Sequence, residues 1–252
     1  MSSSEIIING ATVSVKAFPH IDLERCKNAP IFKDWMKNVD PEIRIESVLF
    51  SDVKYFGPRV GFLMIETISK FNGVAIPGIC FLRGGAVSIL VLLHCEGETH
   101  VLLTRQARVP VGHSGLLELP AGMLDDSGAF AGVAAKELRE ETGLVLTAAD
   151  LTDLSARALE SGGEEAAKLR SKSSVPRGVY PSPGGCDEFI RFMFHERTVT
   201  REELDAMRGK ATGLREEGEV IVLEIVPYNL AHTVCSDAKL LSSMLLYERL
   251  RV

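Results

Sequence analysis

The chain has 252 residues, nearly half of them apolar, and a formal net charge of −6. That length buries a sizeable core and fits one large domain, or one domain with a smaller attachment. The negative balance argues against broad attraction to nucleic acid or anionic membrane, so an anionic substrate needs locally placed Arg, Lys or a metal.

The longest apolar run, residues 86–93 interrupted only by Ser88, is far shorter than the roughly 20 residues of a membrane-crossing helix and reads as a buried strand. The opening "MSSSEIIINGATVSV" lacks a basic segment followed by an apolar one and a cleavage site, so no secretory signal is expected. Five cysteines are scattered without CxxC spacing, which argues against a disulfide framework or a zinc site. The expected location is cytoplasmic, with an organelle as the alternative.

After a polar start, "APIFKDWMKNV" predicts a short amphipathic helix whose Trp35 belongs to the core. "RIESVLFSDV", "RVGFLMIETI" and "IPGICFL" are rich in β-branched and aromatic residues and broken by Gly and Pro, as strands are. They make residues 1–84 a β-rich region. The second domain, 85–252, opens with two strands joined at "EGE" and a loop holding Pro110 and Gly112.

"LLELPAGMLDDSG" then predicts a short strand running into a loop. "AFAGVAAKELREE" predicts a helix stopped at Gly143, and "LVL" a further strand. Residues 157–178, rich in Gly, Ser and charge, read as a mobile insertion or lid. "FIRFMFHERTV" is the next strand. Thr200 with Glu203 forms a capping box opening a short helix. After "GLREEGE" come the strand "VIVLEIV" and a closing helix, "DAKLLSSMLLYERL". The order predicts an α/β fold, a mixed sheet with helices on both faces.

In "KELREETGL" three carboxylates, Glu137, Glu140 and Glu141, fall on one arc of about 100° of the helix. Like charges so placed repel by a few tenths of a kcal/mol per pair. Either the face is solvated or a cation sits there, and hard ions such as Mg²⁺ prefer such oxygens. The helix alone leaves both open.

The frame around that helix is more specific. "GMLDDSGAFAGVAAKELREETGL" resembles the Nudix box, G-x5-E-x7-R-E-U-x-E-E-x-G-U with U apolar. Gly122, Glu137, Leu138, Glu140, Glu141, Gly143 and Leu144 match in register. Gly128 stands where the box has its first Glu and Lys136 where it has Arg, a loss of a bracing ion pair; Asp125 or Asp126 is a substitute partner for Lys136. Further stretches, "IPGICFLRGGAVSILVLL", "RVPVGHSGLLELPAGMLDD", "YPSPGGCDEFI", "GKATGLREEGEVI" and the closing helix, resemble the ADP-sugar and ADP-ribose diphosphatase branch, most of all its plant-type ADP-sugar diphosphatases.

The resemblance implies a Nudix α/β/α sandwich and a β-rich N-terminal dimerisation region, hence a homodimer. It implies Mg²⁺, with Mn²⁺ as alternative, held by Glu137 and Glu141, by Glu140 as a bridging or outer ligand, by Glu219 and by the Ala121 carbonyl. Glu217 is the implied base, with Glu188 its rival and Glu140 a third catalytic candidate. Arg108 is the implied phosphate clamp, Arg83 and Arg215 weaker ones, and Pro183, with Pro181, a pocket wall. For Arg105, where the branch usually has an acid, no role is implied. The implied reaction is hydrolysis of an ADP-sugar, such as ADP-ribose or ADP-glucose, to AMP and sugar phosphate. The alternatives are a UDP-sugar diphosphatase and a catalytically silent module that binds nucleotide sugars.

Overall fold

The computed structural model describes residues 1–124, 129–170, 178–214 and 219–250. They form two compact units, Met1–Gly85 with Tyr180–Phe189, and Ala86–Leu169 with residues 190–250.

In the first unit β1 (Ser2–Ile8) and β2 (Ala11–Ala17) make an antiparallel hairpin. Its turn, Asn9 and Gly10, has φ of 50° and 79°, the left-handed pair that matches the twist of the flanking strands. Then come α1 (Leu23–Asn28), α2 (Pro30–Asn38), β3 (Ile43–Phe56), β4 (Arg59–Phe71), β5 (Val74–Ile76) and β6 (Ile79–Leu82). The strands run β1-β2-β3-β4-β5, with β6 also on β4, and only β2 and β3 pair in parallel. Phe32 of α2 meets Trp35 at 5.6 Å and Phe50 of β3 at 4.8 Å, which seats the helix on the sheet. Trp35 is thus partly buried and packs against the core.

The second unit is built on β7 (Ala86–Cys95) and β8 (Glu98–Arg108), joined through Glu96 and Gly97, again both at positive φ. Next are β9 (His113–Glu118), β10 (Ala121–Met123), α3 (Phe130–Thr142), β11 (Thr152–Asp153), α4 (Leu154–Ser161) and α5 (Gly163–Arg170). They are followed by β12 (Ile190–Thr198), α6 (Arg201–Met207), β13 (Ala211–Thr212), β14 (Ile221–Pro227), α7 (Tyr228–Val234) and α8 (Ala238–Leu250). The sheet runs β11-β12-β7-β8-β14-β13, with β10 on β7 and β9 on β8; β12 and β7 are parallel.

Every residue of β7 from Ala86 to Leu93 is buried, because the strand is covered on both sides. Val87, Ile89, Val91 and Leu93 pack with Val133, Ala134 and Leu138 of α3 and Leu204 of α6. Leu90 and Leu92 pack with Leu154 of α4, Ala231 of α7 and Leu240 of α8. The two-residue period of the strand therefore divides one apolar run between two helical layers.

One expectation fails here, and another gains detail. Residues 144–146 are not a strand: Leu144 and Leu146 lean on the core beside α3 while the backbone runs, through a Thr147–Asp150 capping box, into a 3₁₀ turn. Residues 157–170 are mostly helix, because Asp153 caps α4 and Leu154 anchors it in the core; residues 171–177 lie outside the described part.

Candidate active site

The site is carried by β8, β9, β10 and α3. Gly143, at φ 79°, ends α3 by donating its N–H to the Arg139 carbonyl, which sets where the last turn and its carboxylates stand. At the other end of the motif, Gly122 of β10 lies against Glu137. A Cβ on Gly122 would come 1.9 Å from the Glu137 carboxyl carbon, so only glycine lets that carboxylate lie on the strand.

Glu141 is only 6% exposed and accepts the Ala121 N–H at 3.1 Å. Burial, and then the charges of Glu137 and Glu219, push its carboxyl up to about 8, against the pull of the Ala121 amide and Arg108. Ala121, Glu137, Glu141, Glu219 and Arg108 thus share one neighbourhood. Among the described residues no three acidic, His or Cys side chains converge on a point as a ready-made ion cage, so these acids are gathered but spread. Glu140 is partly buried, and its carboxylate lies 4.0 Å from the Lys136 ammonium one turn back. Asp125, Asp126 and Gly128, and likewise Arg215 and Glu217, lie outside the described residues.

Carboxylate oxygens beside a strand-end peptide are the kind of donor a hard divalent cation takes. By chemical type, though not as a converged cage, the oxygens of Glu137, Glu141, Glu219 and the Ala121 carbonyl fit such an ion.

Arg108 is held by Glu118, which Lys239 and then Asp237 hold in turn, three residues that sequence reasoning missed. Its Nε meets Glu118 Oε2 at 2.6 Å, and Lys239 meets Glu118 Oε1 at 3.0 Å. Lys239 also lies 3.0 Å from Asp237 Oδ1. Burial alone would raise the Glu118 carboxyl, but Lys239 and Arg108 outweigh it and hold it below the ordinary glutamate value. Burial likewise opposes the Lys239 ammonium, yet Asp237 and Glu118 hold it above the ordinary lysine value. Arg105 is committed elsewhere on the sheet, to Glu224 at 2.9 Å and to the Gly115 carbonyl.

Arg83, Glu188 and Pro183 belong to the first unit. Arg83 pairs with Glu188 at 3.3 Å, and Asp187 accepts the backbone N–H groups of Arg83 and Gly84 at 2.7 and 3.1 Å. Burial keeps the Asp187 carboxyl above its ordinary value despite those amides. Pro183 lies in an exposed turn of the same segment.

The sequence model of the NUDIX domain matches residues 82–239. The chain belongs to the Nudix hydrolase family. It is 37% identical to Nudix hydrolase 14, chloroplastic, of Arabidopsis thaliana, over 97% of this chain and 77% of that one. It is 28% identical to the ADP-ribose pyrophosphatase of Bacillus subtilis, over 64% of this chain and 74% of that one. A crystal structure of an ADP compounds hydrolase shares the fold, with a TM-score of 0.52 at 16% identity, over 82% of this chain and 93% of the other.

As a Nudix hydrolase the chain acts on pyrophosphate bonds. Nudix hydrolases generally use divalent metal ions, and the mixed sheet between two helical layers is the Nudix fold.

Proposed function

We propose that this Nudix hydrolase cleaves the diphosphate of ADP-sugars, ADP-ribose and ADP-glucose among them, with water to give AMP and a sugar phosphate. The observation that carries it is the gathering of Ala121, Glu137, Glu141 and Glu219 beside Arg108. The ADP-ribose pyrophosphatase of Bacillus subtilis supports the substrate class.

In this proposal Glu137, Glu141, Glu219 and the Ala121 carbonyl hold Mg²⁺, or Mn²⁺, with Glu140 as an outer ligand. When bound, the cation supplies charge neutralisation for the diphosphate and a more acidic water. Arg108 clamps phosphate oxygens through its terminal nitrogens. Glu217 takes the proton of the attacking water, with Glu188 and Glu140 as rivals. Arg83 and Pro183 are proposed to bind substrate.

We further propose residues 1–84 as the β-rich region of a homodimer and 85–252 as the catalytic domain. Ile68, Val74 and Ile79, all large, apolar and exposed in the first unit, support a covered surface there. Light scattering that returns the mass of one chain counts against the dimer. The description of the Arabidopsis relative as chloroplastic supports an organelle over the cytoplasm.

The deciding experiment incubates purified protein and Mg²⁺ with a panel of nucleoside diphosphate sugars. AMP release from ADP-sugars is expected; UMP from UDP-sugars instead, or binding without product, overturns the proposal. Glu137→Gln is expected to lower turnover by about two orders of magnitude with an unchanged melting temperature. Full turnover in that variant removes Glu137 from the metal set.

A further inference from the structure

Arg108, Glu118, Lys239 and Asp237 form an unbroken chain of alternating charge from β8 through β9 to the first turn of α8, with links of 2.6, 3.0 and 3.0 Å. The Glu118, Lys239 and Asp237 side chains are 8%, 15% and 7% exposed, whereas Arg108 is 41% exposed. The chain is therefore buried at the α8 end and opens at the guanidinium.

Charges so buried add little net stability over apolar side chains of the same shape, because desolvation offsets their attraction. Their geometry shows a different use. Lys239 occupies Glu118 Oε1, so Arg108 meets Glu118 end-on, through Nε and Oε2. Among the described residues its two terminal nitrogens take no hydrogen bond, and they are the fork that grips a phosphate. Without the ammonium, Glu118 would offer both oxygens to one guanidinium, and a two-pronged pair would turn that fork inward.

Asp237 extends the tether to the metal side. Its Oδ2 accepts the Leu119 N–H at 3.0 Å. Two residues on, the Ala121 N–H meets Glu141, and between them the Pro120 carbonyl accepts the Ile89 N–H at 2.9 Å. One helix start thus holds both Glu118 and the peptide leading into β10.

We propose that Lys239 and Asp237 are positioning residues: Lys239, through Glu118, keeps the Arg108 fork facing the diphosphate, and Asp237, through the Leu119 amide, fixes the strand that presents Ala121. This rests on the assignment of Arg108 as phosphate clamp made above. Lys239 is paired with Glu118 and Asp237 and is 15% exposed, so its proposed action is indirect, through Glu118.

The test compares wild type, Lys239→Met, Lys239→Arg, Arg108→Ala and the Lys239→Met/Arg108→Ala pair. Each is measured by ADP-ribose kinetics with Mg²⁺ and by calorimetric binding of the non-hydrolysable α,β-methylene ADP-ribose. Lys239→Met is expected to weaken probe binding and raise KM about tenfold, the scale of one charge-assisted hydrogen bond, with kcat nearly unchanged. Lys239→Arg is expected to restore most of that loss. With Arg108 already removed, Lys239→Met is expected to add less than about twofold, since the two act as a unit.

A full tenfold loss that persists without Arg108, or wild-type binding by Lys239→Met, overturns the inference and leaves the proposed function standing. Wild-type binding by Arg108→Ala overturns the clamp assignment, and the inference falls with it. If Lys239→Met does not fold, Lys239→Met/Asp237→Asn removes the ammonium together with the carboxylate it would strand, leaves both Glu118 oxygens to Arg108, and is expected to show the same tenfold loss; wild-type binding by that pair overturns the inference.

Discussion

Gly122 carries two roles that can be separated. Its missing side chain leaves the place taken by the Glu137 carboxyl, 1.9 Å from where a Cβ would stand. The clash of Gly122→Ala falls on the far end of a flexible side chain, so the fold accepts it while the carboxylate must swing away. The variant is expected to melt within a few degrees of wild type yet lose about tenfold or more in Mg²⁺ affinity and turnover. A large drop in melting temperature with normal metal affinity contradicts this. Glu118 gives a pH signature. Its folded-state value lies below the ordinary one, so its pairing stabilises the fold above about pH 4 to 5 and is lost as pH falls through the folded value. Urea midpoints of wild type and Glu118→Gln are expected to differ by a constant amount from about pH 5 to 9 and to converge in acid. A gap that widens in acid has the wrong sign.

The elements differ in how much of them was legible. The helix α3 and its stop at Gly143, the β7–β8 turn at Glu96 and Gly97, and the Thr200–Glu203 capping box follow from local chemistry, and the structure has all three. Gly143→Ala puts a Cβ at φ 79° and 3.2 Å from the Lys210 ammonium, and is expected to cost about 1–2 kcal/mol in urea denaturation. The β1–β2 hairpin was equally legible, since Asn-Gly between alternating apolar residues is the strongest short hairpin signal; the polar opening residues hid it. In residues 157–170 charge and Gly describe a surface, and the helix α4 was not legible because it depends on Leu154 reaching a distant core. The box glutamates could be found from spacing. Glu118 and Lys239 meet across 121 positions, and no spacing rule in one sequence joins such partners.

At the scale of the molecule, the first unit draws on two distant parts of the chain, and residues 180–189 are sewn to β6. Phe81 exchanges backbone bonds with Gly185 and Asp187 at 2.8 and 3.3 Å, and Asp187 and Glu188 bind the backbone and side chain of Arg83. A fragment of residues 86–252 lacks every one of these partners. Limited proteolysis is expected to cut that fragment within 180–189 much faster than the whole chain; equal rates contradict the attachment. Its nominal catalytic domain therefore cannot be trimmed at residue 85 without loosening a second place.

The parallel pairing of β7 with β12 also dictates an order of events on the ribosome. β7 and β8 can zip together as soon as they emerge, as can β9, β10 and α3, but the other edge of β7 waits for residue 190 and beyond. Arg108, Glu137, Glu140 and Glu141 precede residue 190 in the chain, whereas Glu219 and Lys239 follow it. A chain stopped before residue 190 thus carries Arg108, Glu137 and Glu141 but neither Glu219 nor the Lys239 tether, so the remaining acid and the alignment of the arginine arrive together.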